Sequence, residues 1–407
     1  MQAIHTVKGL GTTLKLRWWL WACGLVLFGF NAYLLNWALT QYEIRMADFS
    51  VLYVAGKIVL SGEWHRMYDL ALQSQMHVSV AFKLLPLPWN HAPYEALLFA
   101  PLAALRYGDA FCLWDAVNLL LLAWIAWRMG PRLESLGRSW ALVFLLGLAC
   151  WPVVSVLLKG QDSLLLTALL VEAWEQLKED HPQRAGVWLA LGLFKFHVVL
   201  PVVLCLALAR RWRVVKSFAA TGAVLLAVSM AMVGSHGVAQ YVELLRSLGH
   251  GPLAVYTRPE LMPNLRGLLA TLPGISASLA APLVAAASLL VLWLAAGRGP
   301  RADADFDLSY AAALAAAYAV SFNTYQHDVA VVFPAILLAL NALPRVAAWW
   351  WKTTVVASAM LLFAAPVTLQ LVQHRQLTLL CLPVVALAVV LPLAKLTAAP
   401  SVESSQP

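Results

Sequence analysis

From Trp18 almost to the C-terminus, long apolar runs recur with only short polar breaks between them, and this feature removes most folds from consideration. A helix of about 20 apolar residues covers the hydrocarbon core of a bilayer, whereas lipid offers no hydrogen-bond partner to an open sheet or loop. The 407 residues are 62% hydrophobic and 12% charged, with 18 Trp. That profile predicts an all-α polytopic membrane protein, a single integral domain over 1–407 with no separate soluble part. The first run, Trp18 to Leu39, is too long and Trp-rich for a secretory leader, and no small-residue cleavage site follows. It reads as a retained span.

The formal net charge is +8, but the basic residues lie in short clusters between apolar runs and form no basic-aromatic stripe. Nucleic acid is therefore not the expected partner, and anionic membrane lipids are. Cys23, Cys112, Cys150, Cys205 and Cys381 all sit inside apolar runs, without CxxC or Cys/His spacing. They read as free thiols acting as small core residues.

Short cytoplasmic loops carry the positive excess in membrane proteins. Placing both termini inside gathers 17 of the 28 basic residues on one side, among them Arg17, Arg128, Arg132, Arg138, Lys178, Arg184, Arg298, Arg301, Lys395 and the "ARRWRVVK" group. This topology predicts about twelve spans and two large outer segments, about 40–94 and 235–275. It also requires 185–209 to cross twice, with a break near "FKFHVVLP" (194–201) where Pro201 would kink the helix. The first outer segment predicts two interfacial amphipathic helices, in "FSVLYVAGKIVL" and "ALQSQMHVSVAFKLL". The second, with its Pro-rich "GPLAVYTRPELMPNLRGLLATLPG", turns repeatedly and is expected to fold over a cavity mouth. The tail "TAAPSVESSQP" reads as a disordered end.

Asp48 follows the first span closely, which puts a carboxylate at the outer interface. By position alone it equally suits a helix N-cap or first turn. The same topology brings His91, Lys159, Gln161, Asp162, Lys195, His197, Arg258, Asn264, Arg266, His327 and Asp328 to that side. Singly, each is an ordinary interfacial anchor. Together, cations beside a carboxylate suit an anionic lipid phosphate as leaving group and a hydroxyl that must lose a proton. Nucleotide-binding GxxxxGK[ST] and GxGxxG motifs, a loop DxD, HExxH and GxSxG are all absent.

The ordered series "ADFSVLYVAGKIVLSGEWHRMYD", "APYEALLFAPLAAL", "KGQDSLLLTALL", "LALGLFKFHVVLPVVLCLALARRWR", "PNLRGLLATL" and "NTYQHDVAVVFPAILL" resembles glycosyltransferase family 87. This family belongs to the superfamily C integral membrane glycosyltransferases. The resemblance implies the superfamily C fold and an inverting transferase on the outer face of a bacterial cytoplasmic membrane. It would take a sugar, mannose first among the candidates, from a polyprenyl-phosphate donor to a hydroxyl of a lipid or glycan acceptor. Asp48 matches the family's carboxylate in the first outer loop and would be the general base. His327 matches its outer "HD" and, with Lys195, Arg258 or Arg266, would neutralise the departing phosphate. Tyr53, His91 and Gln161 complete the implied substrate-binding set, and neither cofactor nor metal is expected. The "WNHAPYE" block departs from the pattern, keeping one proline where the family commonly shows two. Three rivals share these features: a flippase for lipid-linked sugars, which would need inverted repeats and discontinuous helices, a non-catalytic membrane assembly partner, in which Asp48 would be replaceable, and a ligase using a lipid diphosphate donor. The sequence shows no inverted repeats and no discontinuous helix at the midplane, although the break at "FKFHVVLP" keeps the flippase in view.

Overall fold

The computed structural model describes residues 2–41, 48–81, 87–296 and 306–394. Arg298, Arg301, Lys395 and the C-terminal tail lie outside the described residues. Within them all regular structure is helical: eighteen α-helices joined by short 3-10 turns. Six helices are long and apolar enough to cross a membrane by length and composition. They are Thr13–Ala38, Tyr107–Arg132, Pro182–Leu208, Trp212–Gly249, Ser278–Ala296 and Gln326–Arg345. Counting two bent helix pairs as one span each raises the number to eight. The chain is thus an integral membrane protein, with Thr13–Ala38 peripheral and largely exposed and Gln326–Arg345 almost wholly buried.

The bent pairs add two breaks that the sequence reading did not show. Trp140–Ala149 meets Trp151–Lys159 at 70°, and Trp349–Phe363 meets Ala365–Gln373 at 68°. In each case a proline opens the second helix, Pro152 or Pro366. Proline has no N–H to continue the ladder and pushes its predecessor into extended backbone.

Pro182–Leu208 is long enough for one span, but it is not a straight rod. A straight helix would hold Gln183 and Leu208 about 38 Å apart. Instead Ser217 Oγ donates to the Gln183 carbonyl at 2.7 Å, and Ser217 lies in the second turn of the helix that starts at Trp212, just past the tight turn after Leu208. The middle of the run points the other way, where Lys195 reaches Asp162 and Asp328. The chain folds back at the 3-10 turn Gly192–Lys195, where the Lys195 backbone leaves the helical region (φ −112°, ψ 58°). Pro201, where a break was expected, lies inside the following helix Phe196–Leu208.

This fold-back gives the molecule two chemically distinct ends. At one end Arg128 meets Glu172, Arg132 meets Glu175, Lys178 meets Asp307, Arg17 reaches the Glu134 carbonyl and Arg211 stacks on Phe306. The helix Ser163–Lys178 leads from this basic end to the other, about 24 Å away at 1.5 Å per residue.

In the first outer segment the helices are Phe49–Leu60 and Leu70–Ala81. The former is not a half-exposed interfacial helix, for eight of its twelve residues are buried. A Cβ on Gly56 would stand 2.5 Å from the Phe99 carbonyl, so only glycine lets the helix Pro93–Ala103 approach this closely. Phe49, Tyr53, Phe99, Phe111 and Trp114 form an aromatic core around that contact. In the second segment 235–250 is helical, because Trp212–His250 continues through a bend at Gly234 (φ 65°). Only the Pro-rich part beyond it breaks into short turns. Of the cysteines, Cys150, Cys205 and Cys381 are buried, Cys23 is partly covered and Cys112 is exposed, facing outward from the helix bundle.

Candidate active site

The helix Trp151–Lys159 ends at Gly160, whose φ of 62° turns the chain sharply. Trp114 Nε1 donates to the Gly160 carbonyl at 3.1 Å, and Asn118 Nδ2 to that of Gln161 at 3.2 Å. The turn delivers Lys159, Gln161 and Asp162 together at the end opposite the basic one. The fold-back at 192–195 adds Lys195, the 3-10 turn Gln326–Val332 adds His327 and Asp328, and the start of Phe49–Leu60 adds Asp48.

These elements enclose a cavity of about 430 Å³. Asp48, His91, Lys159, Gln161, Lys195, His197, Arg258, Arg266, His327 and Asp328 all line it, so sequence positions spread over 280 residues share one cavity. The Pro-rich segment contributes Tyr256, Thr257, Arg258 and Leu261, and Tyr325 ties it down by donating to the Tyr256 carbonyl at 3.1 Å. Asn264 is buried behind the cavity instead: it caps the helix Leu265–Thr271 through Gly267 N and donates to Thr324 and the Ser321 carbonyl.

Asp48 occupies the N-cap position of Phe49–Leu60, but its side chain makes no cap hydrogen bond. Its Oδ2 lies 3.4 Å from Lys159 Nζ, and both side chains are partly exposed to the cavity. The N-cap reading therefore describes its place and not its bonding. His327 is 5% exposed, with Nε2 3.4 Å from Asp328 Oδ2, and its ring stacks on Tyr325. Arg258 pairs with Glu260 and Arg266 donates to the Phe322 carbonyl, both from the rim.

Lys195 differs from the expectation. Its ammonium stands 2.6 Å from Asp162 Oδ1 and 2.5 Å from Asp328 Oδ1, donates to Ser163 Oγ at 2.8 Å, and is 4% exposed. Its charge is already shared between two carboxylates, which leaves little for a ligand. Tyr53 differs too: it is buried in the aromatic core, donates to the Leu105 carbonyl at 2.7 Å and does not line the cavity.

Sequence reasoning missed Glu95 altogether. It sits one helical turn beyond His91, whose Nδ1 is 2.8 Å from Glu95 Oε2 and 3.6 Å from Asp162 Oδ2. Burial pushes the Glu95 carboxyl up to about 7, against the opposing pull of His91. Burial acts on Asp162 in the same sense, but Lys195 and His91 outweigh it and hold that carboxyl below its usual range. The His-x-x-x-Glu spacing in "HAPYE" was the available signal. One ligand atom each from His91, Glu95 and Asp162 lie within 4.8 Å of one another, a clustering that their sequence positions do not show.

Chemically, the cavity offers a carboxylate able to accept a proton, a cationic wall and rim able to hold an anion, and aromatic flanks. The family model of glycosyltransferase family 87 matches residues 89–324. No curated protein and no solved structure matches the chain.

Proposed function

The chain belongs to glycosyltransferase family 87 and is thereby a glycosyltransferase, and from that premise we propose that it is an inverting enzyme using a polyprenyl-monophosphate sugar, mannose first. The acceptor is a hydroxyl of a lipid or glycan at the outer face of a bacterial cytoplasmic membrane. What carries this reading is the convergence of Asp48 with Lys159, His327, Arg258 and Arg266 around one cavity. The outer-face assignment is supported by the separation of that cavity from the end where the Arg and Lys turns gather, since short basic turns mark the cytoplasmic side.

In this mechanism Asp48 takes the proton from the acceptor hydroxyl as its oxygen attacks the anomeric carbon from the face opposite the phosphate. The C–O bond to the phosphate breaks, its electrons stay on the phosphate oxygen, and the configuration inverts. The leaving phosphate is a stable anion, so neither a strong general acid nor a divalent metal is needed for the step. Glycoside hydrolases, by contrast, usually pair two carboxylates. Lys159, His327, Arg258 and Arg266 supply the field that favours the departing charge. Lys195 acts on the wall, by holding Asp162 and Asp328, and His91 and Gln161 border the sugar.

The test is transfer of radiolabelled mannose from polyprenyl-phosphate-mannose to lipid in membranes containing wild type or Asp48→Asn. Loss of a general base costs roughly 10²–10⁴ in rate, so the variant, expressed equally, is expected to label lipid at least about 100-fold more slowly. Equal labelling would remove Asp48 from the chemistry. The two broken helices also suit a flippase for lipid-linked sugars. Under that reading neither protein makes a new glycolipid, while wild type accelerates movement of the labelled donor across vesicles.

A further inference from the structure

Beneath the wall that His91 presents to the cavity lies a group of side chains for which the transfer step has no use. Glu95 is 2% exposed and Asp162 fully buried. Glu95 Oε1 has no hydrogen-bond partner, and neither Asp162 oxygen has one. Lys195 stands 2.6 Å from Asp162 Oδ1 as an ion pair, which leaves Oδ2 facing His91 at 3.6 Å. Asp162 also stands at the N-cap of Ser163–Lys178 without capping it, although a free Asp in that place ordinarily does. Its carboxylate is turned instead toward His91 and Glu95.

Charge sharpens the problem. Lys195 serves Asp162 and Asp328 together, and Glu95 and the second Asp162 oxygen have only the His91 imidazole beside them. Buried charge without a partner is costly, and a coordinated cation is one of the few ways to supply it. The geometry is close to that of a bound ion. Ligands about 2.1 Å from a metal lie about 3.0–3.5 Å from one another; here His91 Nδ1 is 2.8 and 3.6 Å from the two carboxylates, and all three ligand atoms lie within 4.8 Å of one another, a spread that a bound ion would draw in. His91 is held in place by stacking on Trp89 and by Tyr68, which donates to its carbonyl at 2.8 Å.

We propose that His91, Glu95 and Asp162 form a divalent-cation site beneath the cavity wall. Imidazole with two carboxylates favours a Zn²⁺ or Mn²⁺ type of ion over Mg²⁺ or Ca²⁺. The ion fastens the start of helix Pro93–Ala103 to the turn before Ser163–Lys178, and so fixes the His91 face of the cavity. This site does not rest on the transferase reading, whose chemical step contains no metal.

The experiment uses the purified full chain in detergent, stripped with EDTA, titrated calorimetrically with ZnCl₂ and then desalted for metal counting by mass spectrometry. The expected result is one retained Zn²⁺ per chain and a raised melting temperature. Glu95→Gln and His91→Gln should each weaken binding at least tenfold, while the exposed His65→Gln should leave it unchanged. If Glu95→Gln fails to fold, His91→Gln, a partly exposed position, decides the question. Absence of saturable binding, or uptake that survives His91→Gln or follows His65, would overturn the site.

Discussion

At the C-terminal end of helix Ser163–Lys178, Glu172 takes two hydrogen bonds from Arg128, at 2.8 and 3.0 Å, and a third from Gln176. At its N-terminal end Asp162 meets Lys195 in a 2.6 Å ion pair, and its other oxygen has no hydrogen bond. One helix thus joins two charged regions of opposite character. Around Glu172, Glu175 and Asp307, a guanidinium or ammonium donates to each carboxylate, only Glu175 Oε2 among their oxygens is left without a partner, and the cavity beside Arg211 and Phe306 is small, about 30 Å³. Around Asp162 the charges are denser and more deeply buried, some oxygens lack hydrogen bonds, and a cavity adjoins them. Bidentate pairs hold helices together; incompletely paired charge beside a cavity is the commoner mark of a site that handles substrate or ion.

The sharpest way to break this comparison is Lys195→Met. It leaves Asp162 and Asp328 buried without their cation, and removing one partner of such a group costs about 3–5 kcal/mol. Thermal denaturation in detergent should show that loss as a large fall in melting temperature. An unchanged melting curve would mean that the cavity end tolerates unpaired charge and is not organised as described.

Arg128→Gln probes the other end. Glu172 keeps its hydrogen bond from Gln176 and Arg128 is partly exposed, so the expected cost is smaller, about 1–3 kcal/mol. Sugar transfer at a temperature where the protein stays folded should be unaffected. A loss of transfer comparable to Asp48→Asn would dissolve the division of labour between the two ends.

The smallest effect concerns Asp69, an acid near the cavity end that does cap its helix. Its Oδ1 accepts from Ala71 N and Leu72 N, and Arg66, the leading influence, holds its carboxyl below the usual range. Asp69→Ala should cost about 1 kcal/mol, the ordinary worth of an N-cap. Because the folded form has the lower pKa, the ionised contribution is present above the unfolded value of about 4 and fades as pH falls through the folded one. Asp69→Asn keeps the cap and should flatten that acid-side slope in hydrogen exchange of Leu70–Ala81. A slope that persists would place its origin elsewhere.

Asp69 also shows what the sequence makes legible. Asp48, Asp69 and Asp162 all precede helices, and nothing local says that only Asp69 would spend its oxygens on capping. The difference lies in partners far along the chain, Lys159 for Asp48 and Lys195 for Asp162. The apolar runs and the gathering of polar residues at their ends were readable, because bilayer thickness sets the period. That period places Gln161, His327 and Arg266 together although they are distant in sequence. Tyr53 was misread because a tyrosine in a motif and a tyrosine in an aromatic core look alike until Leu105 is seen to accept its hydroxyl. Glu95 passed unnoticed because an acid in a first helical turn needs no other explanation.

Gly160 has one more consequence. A side chain there would be strained by the left-handed backbone and would meet Phe49 Cβ at 2.7 Å and the Phe111 ring at 2.9 Å. The turn can neither accept a Cβ nor move aside, so Lys159 and Asp162 are set on a rigid bracket cast against the aromatic core. Adaptation to another donor would have to proceed on the opposite wall, among the prolines around Arg258, where the chain has room to be rewritten. Lineages that changed substrate should therefore vary there and keep this glycine.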